Sequence, residues 1–529
     1  MPFPTLLPLW LLPCFLLPCL WWLPSCIVTL RNALFSLING EEGLSVPRAG
    51  LDAAATRRLY EHPGARLRSK HRGGLGLSDL FWYLLQPGAD IHQEHTESGT
   101  ALHTAVSSAT RLLLGIAPAE LAALAHEAVA WRLRTADGAG VLAARGREGS
   151  ADVRAVRLRR FVFPLVARFW WSVVFGEIRA ADEAAIAAVA ASGTDVIDAL
   201  KALKLRDMAL RDGATALLQR EMAARPECRA ARAYAPALAA GVLTPAEAAL
   251  ALQGVIFHTG TVQLSDALTH LMLGLAQYEA PGDGAREPSS GWDRVAAEAA
   301  AGSDAATAAG VGAGADAGAP GQCFLDRAMH EALRVWPLFG IAHRITDRPI
   351  AVEGGGPGGG ATTLPAGTVL CFDYTALHHA GVASPGRFDP DRWLTTRARD
   401  LPSYLPFGVP RNRPCPAQAL CMAALPHFAT ALAAGLRLWS PGVEHSRSLP
   451  GCGLALLQLR GGPPPSRRSL ALLSACLRGV DLADALRISL TQLVCGTLLV
   501  LQARTAALAQ RYHALGLTPR GSKVPQAQR

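Results

Sequence analysis

A chain of 529 residues, half of them hydrophobic, is long enough for one large domain or two or three smaller ones. The net charge of +9 comes from arginines scattered along the chain, with no dense basic run interleaved with aromatics. That argues against a nucleic-acid binder and favours contact with a membrane or a redox partner. Eleven cysteines at irregular spacing, an odd number with no CxxC pair, exclude a disulfide framework and argue against a structural zinc site.

Residues 1–30 carry no charged side chain, and Arg31 is the first charge. A membrane span needs roughly 20 apolar residues, so residues 1–31 are read as a hydrophobic anchor despite prolines at 8, 13, 18 and 24. Basic residues follow the segment (Arg31, Arg48, Arg57, Arg58), which favours a cytosolic position for the rest of the chain. A cleaved signal peptide or an organelle-targeting peptide is the rival reading.

From Leu51 the chain changes character. Ser69–Leu75 is turn-rich, and Leu80-Phe-Trp-Tyr-Leu-Leu is a short apolar run stopped by Pro87-Gly88. Arg159 to Glu177 is apolar at helical spacing, and Ala181–Ala224 reads as one or two amphipathic helices. Strand signals are sparse, so this part is mainly helical. Thr244-Pro-Ala-Glu supplies an N-cap, a first-turn proline and an acid, and opens an apolar helix of about ten turns over residues 244–279. Such a helix is expected to cross the centre of a domain, and near its middle it carries Thr259-Gly-Thr-Val-Gln263. Residues 280–322 are rich in Ala and Gly and are read as a flexible surface insertion.

Phe324–Val335 is a helix stopped by Pro337, with Glu331 and Arg334 on one face. Short strands follow at Ile341–Thr346, Pro349–Val352 and Thr368–Tyr374, then the turn Phe388-Asp-Pro-Asp-Arg392-Trp393. Leu405-Pro-Phe-Gly-Val-Pro-Arg-Asn-Arg-Pro-Cys415 is a Pro- and Arg-rich loop ending at one cysteine, with Pro416 placed where a helix starts. Cys415 then faces the N–H groups of Ala417 and Gln418 and the positive end of a helix dipole, and both favour a thiolate. A single thiolate with no second cysteine on its loop suits an axial haem ligand better than zinc. Arg411 and Arg413 add positive charge where propionates would lie. Beyond the Pro463-Pro-Pro breaker, residues 468–515 are helical in pattern, and Ile488–Leu501 either packs on the domain or lies on a membrane surface.

The cysteine loop resembles that of the cytochrome P450 family, Phe-x-x-Gly-x-Arg-x-Cys-x-Gly, with Phe407, Arg413 and Cys415 in kind. It departs in one extra residue between Phe407 and Cys415, in the loss of the middle glycine around Pro410 and Arg411, and in Ala417 at the last glycine. Glu331 and Arg334 match the family's Glu-x-x-Arg helix, and Arg392 its third buried charge. The order and spacing of these residues carry the resemblance over roughly residues 50–462.

The resemblance implies a mainly α fold with a small β region. Residues 1–31 would be the membrane anchor, 45–462 the haem domain with the 280–322 insertion, and 466–515 an extra C-terminal helical tail. It implies haem b with Cys415 as the axial iron ligand, and a structural role for Glu331, Arg334 and Arg392 in locking the Cys415 loop. His103 and Arg344, or His343, become propionate candidates, although Ser107 replaces the Arg expected after His103. Thr259, Gly260, Thr261 and Gln263 would line the distal side, with Val262 where the family carries an acid and Gln263 where it carries a threonine.

The activity implied is a monooxygenase acting with O2 on an apolar small molecule, fed by a reductase or ferredoxin. It would sit in the endoplasmic reticulum membrane with its catalytic domain cytosolic. The missing acid keeps open a peroxide-rearranging enzyme (hydroperoxide isomerase or dehydratase type) that needs no reductase. A non-catalytic haem-binding or sensing protein is the third class.

Overall fold

A computed structural model describes residues 52–65, 100–138, 153–201, 203–204, 206–279, 290–301, 323–338, 341–352, 360–409, 414–440 and 453–504, with 44–46 and a few positions between 22 and 34. Most of the expected anchor, the run at 80–85, and Arg411 and Arg413 lie outside the described residues.

The helices are α1 (Ala53–Glu61), α2 (Ala101–Leu114), α3 (Pro118–Gly138), α4 (Leu158–Phe175), α5 (Asp182–Leu200), α6 (Met208–Ala224), α7 (Arg229–Ala239), α8 (Pro245–Leu252), α9 (Thr261–Gln277), α10 (Gly291–Ala300), α11 (Phe324–Val335), α12 (Tyr374–His379), α13 (Gln418–Gly435) and α14 (Arg467–Arg504). The strands are β1 (Leu44–Val46), β2 (Arg154–Arg157), β3 (Ile341–Ile345), β4 (Ile350–Val352), β5 (Thr362–Leu364), β6 (Val369–Asp373), β7 (Leu436–Trp439) and β8 (Leu454–Leu459). They form three small sheets, in the orders β1-β6-β3, β2-β8-β7 and β4-β5, with β1 parallel to β6 and the other pairs antiparallel. The described part of the chain is mainly helical with a small β region.

The central helix starts where its caps say. Thr244 Oγ1 accepts from the Glu247 N–H and the Glu247 carboxylate accepts from the Thr244 N–H, a reciprocal capping box followed by Pro245. It is not one regular helix over 244–279. Residues Gln253–Gly260 widen into a π-helix between α8 and α9, and the chain turns extended at Tyr278. The π-turn loosens the backbone ladder, and Thr261 Oγ1 donates to the Ile256 carbonyl at 3.2 Å, five residues back.

Around this axis α4 is the most deeply packed neighbour, with Trp170 and Trp171 fully buried. Helices α10, α11 and α13 complete the core on the other side. At Gly274 the central helix touches the turn after α12 so closely that an added Cβ would lie 2.6 Å from the Phe388 ring.

A further expectation is corrected. Residues 290–301, inside the presumed insertion, form α10, whose Trp292 is fully buried and donates its indole N–H to the Leu436 carbonyl at 3.0 Å. One aromatic among alanines is enough to dock a short helix, because an indole buries more apolar area than several methyl groups. The C-terminal tail, expected to be helical, is one helix of 38 residues over Arg467–Arg504.

Candidate haem-thiolate site

The site begins with a buried carboxylate. Glu331 and Arg334 lie one turn apart on α11, and both side chains are wholly shielded from solvent. Arg334 donates Nε to Glu331 Oε2 at 2.9 Å and Nη2 to Oε1 at 2.7 Å, a bidentate pair. Its remaining donors reach the carbonyls of Pro385 at 2.8 Å and Arg387 at 3.2 Å.

Glu331 also accepts from the Asp389 N–H at 3.0 Å, the Trp393 indole at 2.9 Å and, more loosely, Arg392 Nε at 3.5 Å. The structure thus brings Glu331, Arg334 and Arg392 together, and adds Trp393 and the Asp389 backbone to the cluster. Both carboxylate oxygens of Glu331 accept at least two hydrogen bonds, which is the condition for burying an ion pair without a large penalty.

Two histidines that the sequence did not single out connect this cluster to the cysteine loop. His378 is buried, with Nδ1 at 3.3 Å from the Leu333 carbonyl on α11, while Nε2 accepts the Leu405 N–H at 2.9 Å. Only the neutral ring with its proton on Nδ1 satisfies both. Burial holds His378 down at about 3, so that neutral form persists. His330, one residue before Glu331, places Nδ1 2.9 Å from the Tyr404 hydroxyl, and burial lowers it to about 4. Tyr404 and Leu405 are the entrance to the loop, so both histidines hold that entrance against α11. The sequence signal was His330 standing next to Glu331; His378 stands beside no matched motif.

The loop closes on itself where the Cys415 N–H donates to the Phe407 carbonyl at 3.0 Å. Gly408 takes a positive φ of 78° just after Phe407, the left-handed turn for which glycine is best suited. Phe407 packs with Leu333, Trp393 and Tyr404. Helix α13 starts at Gln418, so Pro416 belongs to the turn before it rather than to the first helical position.

The N–H groups of Ala417 and Gln418 do bond the Cys415 sulfur and pull its pKa down. Burial outweighs them, and the net direction is up from the ordinary thiol value. The helix-end N–H groups therefore favour the thiolate only in part. Among the described residues, no group of three or more His, Cys, Asp or Glu side chains could hold a bare metal ion.

Opposite requirements fall on the central helix. Between residues 251 and 270 every residue is buried except Val255, Thr259, Gly260 and Gln263. Val255, Thr259 and Gln263 are four apart and share one face, which is partly exposed. Thr259 Oγ1 and Gln263 Oε1 are themselves shielded and bond no protein group. Buried oxygens left without a protein partner call for a ligand or water.

Two distal residues fall elsewhere. The Thr261 hydroxyl is committed to the Ile256 carbonyl, and Val262 packs on Phe163 and Ile197. Gly260 is needed by the protein itself, since an added Cβ would lie 3.3 Å from the Trp170 ring.

The propionate candidates sit apart in the fold. His103 is half-buried in the first turn of α2, with Nε2 3.4 Å from Ser107 Oγ. Arg344 on β3 is buried, lies 5.0 Å above the Tyr60 ring and donates to the Tyr60 hydroxyl at 3.3 Å. Of His343 the structure describes the backbone only, in register with Cys371.

A lone cysteine braced at a helix entrance, with an orphaned polar face on a helix packed against that same helix, fits an iron porphyrin better than a bare ion.

Comparison with known proteins agrees. Residues 323–432 match the family model described as Cytochrome P450. The chain is similar to cyclooctat-9-en-7-ol 5-monooxygenase of Streptomyces melanosporofaciens, 37% identical over 83 residues, which is 15% of this chain and 17% of that protein. It is similar to cyclooctatin synthase of the same organism, 38% identical over 96 residues, 17% of this chain and 19% of that one. The matches thus span less than a fifth of either relative's length.

Among solved structures, a zebra fish cytochrome P450 with abiraterone gives a TM-score of 0.54 at 16% identity, covering 82% of this chain and 98% of that one. Cytochrome P450SP alpha in complex with (R)-ibuprophen gives 0.53 at 16% identity, covering 78% and 90%. A variant of cytochrome P450 OleT in complex with arachidonic acid gives 0.51 at 12% identity, covering 81% and 90%. The chain thus matches the cytochrome P450 family model over residues 323–432 and has the cytochrome P450 fold across most of its length.

Proposed function

We propose that the protein is a haem-thiolate monooxygenase that inserts one oxygen atom from O2 into an apolar small molecule, with haem b bound through Cys415. The observation that carries this reading is the Cys415 loop, closed by the Phe407 carbonyl and braced through His378 and His330 to the Glu331–Arg334 pair. When bound, the haem supplies activation of oxygen, with electron density pushed toward the iron by the thiolate. The chain's own part is to hold the ligand sulfur, shield it from water, and present Thr259 and Gln263 as groups that position a water or substrate oxygen. Arg344 and His103 are the residues assigned to the propionates, with Arg411 and Arg413 on the loop. The curated relatives named above support oxidation of an apolar substrate. Electrons would come from a reductase or ferredoxin, and the uncharged N-terminal segment supports a membrane location with the haem domain on the cytosolic side.

A second reading has its own observation. The open face of the central helix carries no acid–alcohol pair, since Val262 and Thr261 are turned away from it. A peroxide-using or peroxide-rearranging enzyme needs no such pair.

The test is the ferrous–carbon monoxide spectrum of the purified protein beside a Cys415→Ser variant, followed by turnover assays with reductase and O2 or with a hydroperoxide alone. A red-shifted thiolate-type band lost in the variant, with reductase-dependent product, is expected. Turnover with hydroperoxide alone would establish the second reading. A protein that takes up no haem would overturn both.

A further inference from the structure

Helix α14 is divided along its length. Its two acids point inward: Asp481 is 1% and Asp484 6% exposed, and Asp484 Oδ2 meets Arg157 of β2 at 2.5 Å. Gln492 Nε2 donates to the Lys201 carbonyl beyond α5 at 2.9 Å, and Leu477 packs on Leu454 and Leu456 of β8. One face is therefore fastened to the domain between Leu470 and Gln492.

The other face is apolar and open. Leu473, Val480, Leu490, Val494, Leu498 and Leu501 are all exposed, Val494 to 59% and Leu498 to 53%. Their spacing at 100° per residue keeps them on one stripe along the 38-residue helix. Every charged side chain that α14 is seen to expose is an arginine: Arg467, Arg468, Arg478 and Arg487.

We propose that α14 is an in-plane membrane helix that seats the catalytic domain on an anionic lipid surface, through the Leu/Val stripe and the exposed arginines of the helix. Apolar residues enter the acyl boundary, while arginine stems run along it and place their charge at lipid phosphates. Two other occupants fit less well. The segment Arg467–Leu499 is long and apolar enough to cross a bilayer, but a crossing would tear Asp484 and Gln492 from Arg157 and Lys201. A second copy paired in parallel about a twofold axis would set Arg487, midway between Val480 and Val494 on the stripe, against its own mate. The inference stands apart from the haem chemistry, because no residue in it touches the candidate site.

The experiment uses the full chain with vesicles of phosphatidylcholine alone or with about 30% phosphatidylserine, carrying a photoactivatable acyl chain, and maps the adducts by mass spectrometry. Adduct position separates α14 from the uncharged N-terminal segment. Adducts at residues 490–501 that rise with phosphatidylserine are expected. They should fall at least about fivefold in a Val494→Asp, Leu498→Asp double variant, with the melting temperature and the adducts in residues 1–30 unchanged. Adducts confined to residues 1–30, or α14 adducts indifferent to phosphatidylserine, overturn the proposal. So does a dimer in solution that the double variant dissociates while α14 gains no lipid adduct.

Discussion

Replacing Glu331 with Gln changes one atom and removes the charge on which α11, the Arg392 turn and the cysteine loop converge. The amide keeps one acceptor oxygen but turns an NH2 toward donors. If that group replaces Oε1, it confronts Arg334 Nη2, the Asp389 N–H and Arg392 Nε. If it replaces Oε2, it confronts Arg334 Nε and the Trp393 indole. Either way a fully buried guanidinium loses its counter-charge, which is expected to cost about 3–5 kcal/mol.

Arg392 is the internal control. Its contact is long, at 3.5 Å, and its side chain is 15% exposed, so Arg392→Ala is expected to cost only about 1 kcal/mol. Urea unfolding of the haem-loaded proteins, followed by tryptophan fluorescence and by the haem absorption band, measures both. A Glu331→Gln loss smaller than that of Arg392→Ala, with the haem band intact, would refute the idea that this carboxylate holds the loop.

The other predictions concern acid, packing and the distal face. Unfolded histidine takes up a proton near 6.5, whereas burial holds folded His330 at about 4 and His378 at about 3. Below that pH the unfolded chain binds more protons than the folded one. Stability should therefore be full above about pH 7 and fall toward acid, by roughly 2 kcal/mol per histidine at about pH 5. Melting temperatures across that range test it, and a His378→Gln variant should have a flatter profile. Gly274→Ala should destabilise by about 1–3 kcal/mol, read by urea midpoint, because the new methyl meets the Phe388 ring at 2.6–2.9 Å. Gln263→Leu removes an orphaned buried oxygen, so the urea midpoint should hold or rise. Reductase-supported turnover should drop by about tenfold or more if Gln263 positions the proton-bearing water. Equal rates would remove it from the catalytic set.

The sequence by itself determined the helix caps, the helical class and the identity of the pieces at the site, because these are local matters. Thr244, Pro245 and Glu247 announce the start of the central helix by the backbone groups they satisfy nearby. Glu331 and Arg334 share a face because a helix repeats every three to four residues. The Phe407–Cys415 loop was legible as a ligand loop from its residue types.

Tertiary structure decided the rest. Whether Thr261 or Gln263 meets the open face depends on a π-turn over Gln253–Gly260 that shifts the helical register, which no residue spacing announces. His378 bridges positions 333 and 405, which no spacing rule connects. Trp292 docks α10 out of an alanine-rich stretch because a pocket beside Leu436 exists only once β7 is in place. The surroundings of Cys415 divide the same way: the N–H groups of Ala417 and Gln418 that favour a thiolate are local, whereas the burial that opposes them belongs to the whole fold.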